Sequence, residues 1–269
     1  MVTAILAVAA SLVGLYLLVL LGLMLFQRDM IYRPDPTRTD PADIGLSEMM
    51  PVAVRAQDGR QITSWYAPPL HPHAPTLVMF HGNAGTNARR AHKARFLLDA
   101  GFGVFMVEYR GYGGNSGRPS EADLTADARA VLDWLKGRGV AAERLILCGE
   151  SIGSGVAMAM TREIEPLAVI LECPFTALAD LAPPYVPKRL ARLLMRDHFD
   201  NLSQITRLKA PLLIVHGEQD SLTPPAMARA LIAAAGSTDK GAVFLPLAHH
   251  NDLWDHGAER PILDFLRRL

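Results

Sequence analysis

The stretch that decides the fold runs from Arg144 to Gly155 and reads RLILCGESIGSG. It opens with an apolar run typical of a buried β-strand and leads into the small apolar residues VAMAM, which favour a helix. Between them lies a G-x-S-x-G pattern centred on Ser151. A serine on a sharp strand-to-helix turn is exposed at the end of the sheet, where a base can reach its hydroxyl. The pattern therefore predicts a nucleophile rather than an ordinary helix N-cap serine.

The alternation of strand and helix continues on both sides of this stretch. The apolar runs from Thr76 onward read TLVMFH, GVFMVEY, RLILCGE, AVILEC, PLLIVHG and AVFLPL. Helical patterns follow them at 86–100, 121–136, 152–163, 224–235 and 253–268. The strand runs are nearly continuous in apolar residues, as parallel strands covered on both faces require. The sequence therefore predicts an α/β fold with a mostly parallel central sheet, right-handed crossovers and helices on both faces.

Three segments depart from this alternation. Two β-like runs at 51–56 and 60–67, joined by an Asp-Gly pair, predict a hairpin. Residues 34–47 are rich in Pro, Asp and Thr, which predicts a linker. Residues 174–210 are too many for a simple connection between a strand and a helix, so we expect a small cap insertion over the site there.

A serine nucleophile needs a base, and in folds that carry this motif an acid and then a histidine follow it along the chain. Asp220 stands just beyond the strand PLLIVHG, at the carboxyl end where open α/β sheets build their sites. It is the predicted acid, and Glu172 and Asp180 are its rivals. Two adjacent histidines, His249 and His250, follow the last predicted strand. Local chemistry does not separate them, because neighbours in a loop point in different directions.

A glycine-containing loop ends the first core strand and reads FHGNAGTN. An oxyanion hole in this type of site takes one backbone N–H from such a loop and one from the residue after the nucleophile. We therefore assign the amides of Asn83 and Ile152, with Ala84 as the alternative to Asn83. A phosphate-binding loop is the rival interpretation, but the Lys-Ser/Thr pair and the G-x-G-x-x-G spacing are both missing.

The N-terminal segment from Thr3 to Phe26 contains no charged residue. A helix of this length rises about 36 Å, whereas a bilayer hydrocarbon core is about 30 Å thick. A cleaved signal peptide would have a basic start and a shorter apolar core, and a buried core helix would show a polar face. We predict a single-pass anchor over residues 1–30 and a catalytic domain over 31–269. Three arginines follow the span, at Arg28, Arg33 and Arg38. Positive residues on this side favour a cytoplasmic catalytic domain.

Composition excludes several other classes of protein. Lys plus Arg equal Asp plus Glu at 27 each, so there is no electrostatic footprint for nucleic acid. The two cysteines, Cys148 and Cys173, lie in neighbouring apolar runs and are predicted to be buried thiols, although a disulfide stays possible. No metal-binding motif is present, so we expect neither metal nor cofactor. The sequence does not predict an oligomeric state.

Taken jointly, several motifs resemble the membrane-anchored α/β-hydrolase-domain serine hydrolases, a group that includes depalmitoylase-like, lysophospholipase-like and serine aminopeptidase-like proteins. The motifs are HGNAG, VEYRGYGGNSGRPSE, GESIGSG, HGEQD and HHND, behind an N-terminal span. The resemblance implies the α/β-hydrolase fold and places the catalytic histidine directly before Asn-Asp, at His250. Glu108 departs from the family pattern, which commonly has Asp there, and we expect it to brace the end of the sheet.

These observations predict a serine hydrolase that cleaves an ester or thioester of an acyl lipid or acylated substrate through an acyl-enzyme. An aminopeptidase-like amide hydrolase and a non-catalytic, membrane-tethered interaction protein are the alternatives. Substrate choice is expected to lie in 174–210. Within it, VPKRLARLLMRDHF predicts a basic amphipathic helix that either lies on an anionic bilayer or simply packs on the body.

Overall fold

The computed structural model describes residues 1–269 and contains one eight-stranded sheet. The strands are β1 Met50–Arg55, β2 Gln61–Ala67, β3 Thr76–Phe80, β4 Gly103–Val107, β5 Leu145–Glu150, β6 Ala168–Glu172, β7 Leu212–Gly217 and β8 Lys240–Leu245. Their order across the sheet is β1-β2-β4-β3-β5-β6-β7-β8. β2 is antiparallel to both β1 and β4, and every other pair is parallel. The predicted mostly parallel sheet and its N-terminal hairpin are confirmed.

Helices cover both faces of this sheet. They are α1 Val2–Ile31, α2 Ala91–Asp99, α3 Glu121–Lys136, α4 Ile152–Met160, α5 Lys188–Leu194, α6 Asn201–Ile205, α7 Pro225–Ala234 and α8 Glu259–Leu266. One core cluster of 34 buried residues joins the sheet to α3, α4, α6 and α7. A second, of 23 residues, joins its other face to α2 and α8. Successive residues of β3 alternate between the two clusters, which explains why the strand runs are apolar throughout.

The predicted helices are right in position, and some are shorter than predicted. α3 has the predicted limits, with the Ser120 hydroxyl accepting the Asp123 N–H at its start. The predicted helix at 253–268 is interrupted, because Gly257 adopts a left-handed conformation with φ of 90° between the turn Leu253–His256 and α8. The predicted helix at 86–100 likewise begins with a 3-10 turn, Asn87–Arg90, before α2.

The insertion at 174–210 divides into two parts. Its first part contains a short turn, Leu178–Leu181, and α5, and these pack against each other and against α1. Its second part, α6, packs between α4 and α7 as part of the main core. The part of the insertion that packs against α1 is therefore narrower than the whole insertion.

α1 is long and apolar enough to cross a bilayer by length and composition, and only 6% of its most apolar window is buried. Its C-terminal half packs on the body of the protein, where Leu20 and Gln27 are each 8% exposed. The segment 34–47, predicted to be a linker, packs on the sheet domain. Leu46 is 1% exposed in the core, and Asp35 O accepts the Gly113 N–H at 2.9 Å. Burying that leucine holds the segment on the surface of the sheet domain.

Candidate active site

Ser151 occupies a strained turn between β5 and α4. Its φ of 52° and ψ of −116° lie outside the regions that residues with a side chain normally adopt. The two motif glycines make the turn possible. A Cβ at Gly149 would lie 2.5 Å from the Gly153 carbonyl oxygen, and a Cβ at Gly153 would lie 2.0 Å from that of Phe80. The G-x-S-x-G spacing is therefore a steric requirement of this turn.

The predicted serine, histidine and aspartate lie in hydrogen-bonding contact. His250 Nε2 lies 3.0 Å from Ser151 Oγ, and His250 Nδ1 lies 2.7 Å from Asp220 Oδ2. The three residues come from the ends of β5, β7 and β8, which meet at the carboxyl edge of the parallel sheet. With Nδ1 protonated toward the carboxylate, Nε2 is free to accept the serine proton. The arrangement can therefore act as a base for a hydroxyl nucleophile.

Asp220 is held as an ionised, oriented acceptor. Its Oδ1 accepts the backbone N–H groups of Leu222 and Thr223 at 2.9 and 2.8 Å, and its Oδ2 accepts the Thr223 hydroxyl at 2.7 Å as well as His250. Burial raises the pKa of the Asp220 carboxyl, but these hydrogen bonds and the attraction of His250 outweigh burial and hold its pKa well below the usual range. A carboxylate in this state stays charged beside the imidazole.

The rival acids and the neighbouring histidine face elsewhere. Glu172 pairs with Lys93 Nζ at 2.6 Å, and Asp180 accepts the Thr176 hydroxyl at 2.7 Å. The exposed His249 places Nδ1 3.0 Å from the Gln219 carbonyl oxygen. Neither Glu172 nor Asp180 is hydrogen-bonded to His250, and His249 is not hydrogen-bonded to Ser151. The geometry therefore separates alternatives that the residues alone left open.

The predicted oxyanion donors lie beside Ser151. Asn83 and Ile152 line the same apolar cavity as the serine, whereas the alternative Ala84 lines only the polar cavity on its other side. The Asn83 N–H has no hydrogen-bond acceptor within the chain. Ile152 is the first residue of α4, where a backbone N–H has no partner within the helix. Both amides are thus available to a developing negative oxygen.

A buried hydrogen-bond set braces the loop that carries Asn83. The Tyr112 hydroxyl donates to the Asn83 carbonyl at 2.7 Å. Glu108 accepts the Asn87 N–H at 3.0 Å, and its other carboxyl oxygen lies 2.9 Å from His81 Nε2. The Glu108 carboxylate therefore holds the loop through its hydrogen bond to Asn87 and lies beside His81 at the start of the loop.

A second support lies behind the serine turn and has no motif to mark it. Ser154 Oγ donates to the Ser151 carbonyl at 2.6 Å. Asn201, which is fully buried, donates to Ser154 Oγ at 3.0 Å and to the Phe175 carbonyl at 3.0 Å. Sequence reasoning missed Asn201 because it lies 47 residues from Ser154, at the start of the short helix α6.

Two cavities meet at Ser151. The apolar cavity measures about 330 Å³, and 15 of its 20 lining residues are hydrophobic. The polar cavity measures about 370 Å³, and only four of its 17 lining residues are hydrophobic. His250 lines the polar cavity and not the apolar one. The site can therefore hold an apolar group on one side of the serine and a polar group on the other.

A paired charge network forms one wall of the polar cavity. Glu150 lies 2.6 Å from Arg90 and 2.8 Å from Lys93, which in turn lies 2.6 Å from Glu172. Burial lowers the pKa of Lys93, but its two carboxylate neighbours outweigh burial and raise it to about 12. The same cations hold the pKa of Glu150 well below its ordinary value, despite its burial. These charges neutralise one another, so the wall is polar and largely balanced.

Cys173, Asp220 and His250 present possible ligand atoms within 4.8 Å of one another. Burial raises the pKa of the Cys173 thiol well above its usual value, and nearby Asp220 raises it further, so it is a protonated thiol. The Asp220 oxygens already accept four hydrogen bonds. This donor set suits the hydrogen-bonded relay better than a metal, which needs free carboxylate lone pairs and a thiolate. Cys148 and Cys173 are both free and buried, as predicted.

A mostly parallel sheet with a serine on a strand-to-helix turn, a following acid and a final histidine defines the α/β-hydrolase class. The model of the Hydrolase_4 family, described as serine aminopeptidase, S33, matches residues 71–203 and 186–256, and the chain belongs to this family. The resemblance drawn from the sequence motifs is therefore confirmed. Membership makes the protein a hydrolase at the level of class.

Individual relatives agree with this assignment. An uncharacterized protein of Mycobacterium tuberculosis, Rv2307c, is 37% identical over 268 residues, which cover 97% of this chain and 94% of that protein. The lysophosphatidylserine lipase ABHD12 of Rattus norvegicus is 33% identical over 213 residues, 70% of this chain and 53% of that one. The structure of the Pyrococcus furiosus esterase Pf2001 superposes with a TM-score of 0.71 at 18% identity, over 88% of this chain and 97% of that chain, which shows the shared fold.

Proposed function

We propose that the protein is a membrane-anchored serine hydrolase that cleaves esters or thioesters of long acyl chains. Ser151 is the nucleophile, His250 the base and Asp220 the residue that orients it. The observation that carries the proposal is the continuous relay, with 3.0 Å from Ser151 Oγ to His250 Nε2 and 2.7 Å from His250 Nδ1 to Asp220 Oδ2. Separations of this size are within reach of proton transfer between heavy atoms.

The reaction proceeds by two acyl transfers. His250 takes the hydroxyl proton of Ser151 as Oγ bonds to the substrate carbonyl carbon, and the carbonyl oxygen becomes an anion held by the Asn83 and Ile152 amides. The carbonyl re-forms as the bond to the leaving group breaks, and His250 passes its proton to that group. Water then attacks the acyl-enzyme with His250 again as base, which releases the acid and restores the serine. Asp220 keeps its charge throughout and stabilises the imidazolium.

The two cavities support an acyl lipid as the substrate. The apolar cavity suits a hydrocarbon chain, since its volume of about 330 Å³ lies within the usual range of ligand pockets. The polar cavity suits the alcohol or thiol portion, which takes the proton from His250. One relative of the chain is named as a lysophosphatidylserine lipase. An aminopeptidase-like reaction is less favoured. The free amino terminus of its substrate lies on the acyl side of the cleaved bond and would enter the apolar cavity, where no acidic residue is present to bind it.

A membrane anchor completes the proposal. α1 is uncharged from Thr3 to Phe26, and its contacts with the body favour a retained anchor over a cleaved leader. We propose the division into an anchor over 1–30 and a hydrolase domain over 31–269, with the cap within 174–210 and the catalytic domain in the cytoplasm. Full-length protein should resist extraction at alkaline pH. Protease added to sealed cells should leave the domain intact, and digestion there would overturn the assigned side.

Labelling by a fluorophosphonate probe tests the chemistry. The wild-type protein should label and Ser151→Ala should not.

The adjacent histidines form a matched pair, since His250→Gln should reduce hydrolysis of p-nitrophenyl esters by at least about 10⁴-fold and His249→Gln should leave it within about twofold. Faster cleavage of aminoacyl amides than of esters would support the aminopeptidase-like alternative. Undiminished ester cleavage in Ser151→Ala would refute the nucleophile, and a wild-type protein without labelling or turnover would support a non-catalytic interaction protein.

A further inference from the structure

The apolar cavity beside Ser151 is not built by the hydrolase domain alone. Six of its 20 lining residues belong to the C-terminal half of α1, and the cap and the residues around the serine supply the others. The six are Leu20, Leu23, Met24, Gln27, Met30 and Ile31. They recur at intervals of three and four residues, which places them on one side of the helix. The opposite side of the helix is exposed, since Leu21 and Leu25 have exposed fractions of 46% and 53%.

Polar contacts fix this half of α1 in one position against the cap. Gln27 Nε2 donates to the Leu194 carbonyl at 3.2 Å, and Gln27 Oε1 accepts the Arg196 N–H at 2.7 Å. One side chain thus satisfies a free carbonyl at the end of α5 and the amide just beyond it. Gln27 is 8% exposed, so these bonds are formed away from bulk water.

A second contact ties the end of α1 to the main domain. Arg28 donates two hydrogen bonds to Asp197, at 3.0 and 2.9 Å, and the Tyr32 hydroxyl donates a third at 3.1 Å. The Asp197 side chain is 1% exposed, and its Oδ1 also accepts the Glu121 N–H at the start of α3. The helix is therefore seated on the body at a defined angle and register.

The position of the cavity along α1 places it next to the bilayer. Thirty residues of helix span about 45 Å, and about 30 Å of that crosses the hydrocarbon core. The wall residues occupy the last 17 Å or so, from Leu20 to Ile31. Large apolar side chains of the cap and nearby loop are exposed around it: Tyr185 at 59%, Leu193 at 79% and Leu222 at 53%. Exposed cations lie on α5 beside them, at Lys188, Arg189 and Arg192, where they can meet anionic headgroups.

From these observations we infer that α1 is a wall of the acyl-binding site as well as an anchor. The chain of a membrane-resident acyl substrate passes from the bilayer along α1, beneath the cap, to Ser151. It thereby exchanges one apolar environment for another without exposure to water, so the hydrophobic cost of extraction is largely avoided. This inference rests on the proposed function and adds to it a residue set, Leu23 and Met24, that determines the accepted chain length.

Bulky substitutions on the two sides of α1 test the inference. The full chain is reconstituted in phospholipid nanodiscs, and kcat/KM is measured for p-nitrophenyl palmitate and p-nitrophenyl butyrate. Leu23→Trp and Met24→Trp add an indole to the cavity wall, whereas Leu21→Trp and Leu25→Trp add it to the exposed side of the same helix. Fluorophosphonate titration counts the competent enzyme in each sample.

The ratio of palmitate to butyrate kcat/KM should fall at least about tenfold in both wall variants, since part of the chain's contact with the cavity is lost. It should stay within about twofold of wild type in both controls. If the wall tryptophans prevent folding, Leu23→Ala provides a second test, because the enlarged cavity should raise the ratio. An unchanged ratio in the wall variants, or an equal fall in the controls, would overturn the inference while Ser151-dependent turnover persists. Absence of that turnover in wild type would overturn the proposed function and this inference with it.

Discussion

Replacing Asp220 by asparagine should reduce kcat by about 10⁴-fold, and the structure indicates why. Oδ1 accepts two backbone N–H groups, from Leu222 and Thr223, which cannot reverse. The amide oxygen of an asparagine must take this position, so its NH₂ group must take the position of Oδ2, 2.7 Å from His250 Nδ1. Nδ1 then has to accept rather than donate, and the ring proton moves to Nε2.

That tautomer faces Ser151 with a donor where a base is needed. The same tautomer error costs about 10⁴ in kcat in the chymotrypsin-type site, or about 5.4 kcal/mol at 1.36 kcal/mol per tenfold. The assay is steady-state hydrolysis of p-nitrophenyl butyrate, normalised to correctly folded protein by circular dichroism. Asp180→Asn is the matched control and should retain activity within about twofold, because Asp180 contacts only Thr176 and Arg192. An Asp220→Asn enzyme with more than a tenth of wild-type kcat would refute the reasoning.

Two further measurements examine the same carboxylate. Thr223→Val removes one hydrogen bond to Asp220 but leaves both backbone donors, so we expect only about a tenfold loss in kcat, in line with a single hydrogen bond to a charged group. The folded-state pKa of Asp220 lies below its ordinary value of 3.8, so its ionised form stabilises the protein above about pH 4. The stability advantage of wild type over Asp220→Asn should therefore shrink as the pH falls below 4. An advantage that grows in acid would contradict the assigned direction.

Three other predictions concern stability and reactivity. Gly153→Ala would place a methyl group 2.0 Å from the Phe80 carbonyl oxygen. It should lower the free energy of unfolding by about 3 kcal/mol or more, which corresponds to a fall of ~6 °C in Tm. In the control variant Gly241→Ala the new methyl group meets no atom within 4 Å, so its Tm should be near that of wild type. Asp197→Ala should cost about 2 kcal/mol in a chemical denaturation experiment, because it leaves the buried Tyr32 hydroxyl without an acceptor. Arg28 is 41% exposed and regains water, so the loss of its ion pair adds little. Asp239→Ala, in an exposed ion pair, should cost under about 1 kcal/mol. Both cysteines should resist iodoacetamide at pH 8 until the protein is unfolded, since burial raises the pKa of each thiol, and rapid native alkylation would contradict their burial.

The sequence was sufficient for the features that depend on local sterics and on burial. The turn at Ser151 could be predicted because the glycine before it is required by a local clash: a Cβ at Gly149 would lie 2.5 Å from the Gly153 carbonyl oxygen. The parallel strands could be predicted because burial on both faces requires continuous apolar runs. Asp220 followed from the same logic, since a residue just beyond a parallel strand lies at the edge where sites form.

Local chemistry does not select among residues that are alike: the family resemblance indicated His250, and the tertiary structure supplies the physical reason. His249 and His250 have the same side chain, and only the path of their loop turns one toward Gln219 and the other toward Ser151. Asn201 and Ser154 were similarly beyond local patterns, since their contact joins residues 47 positions apart.

The role of α1 in the cavity shows this limit most clearly. A helix that is apolar on every side carries no periodic signal for the side that will face protein, so the sequence predicted a span and nothing about its partner. The contacts that orient it, such as Gln27 with Arg196, join residues 169 positions apart. Hydrophobic composition predicts that this segment leaves water, and only the packing of residues 178–195 against it places one of its faces beside Ser151.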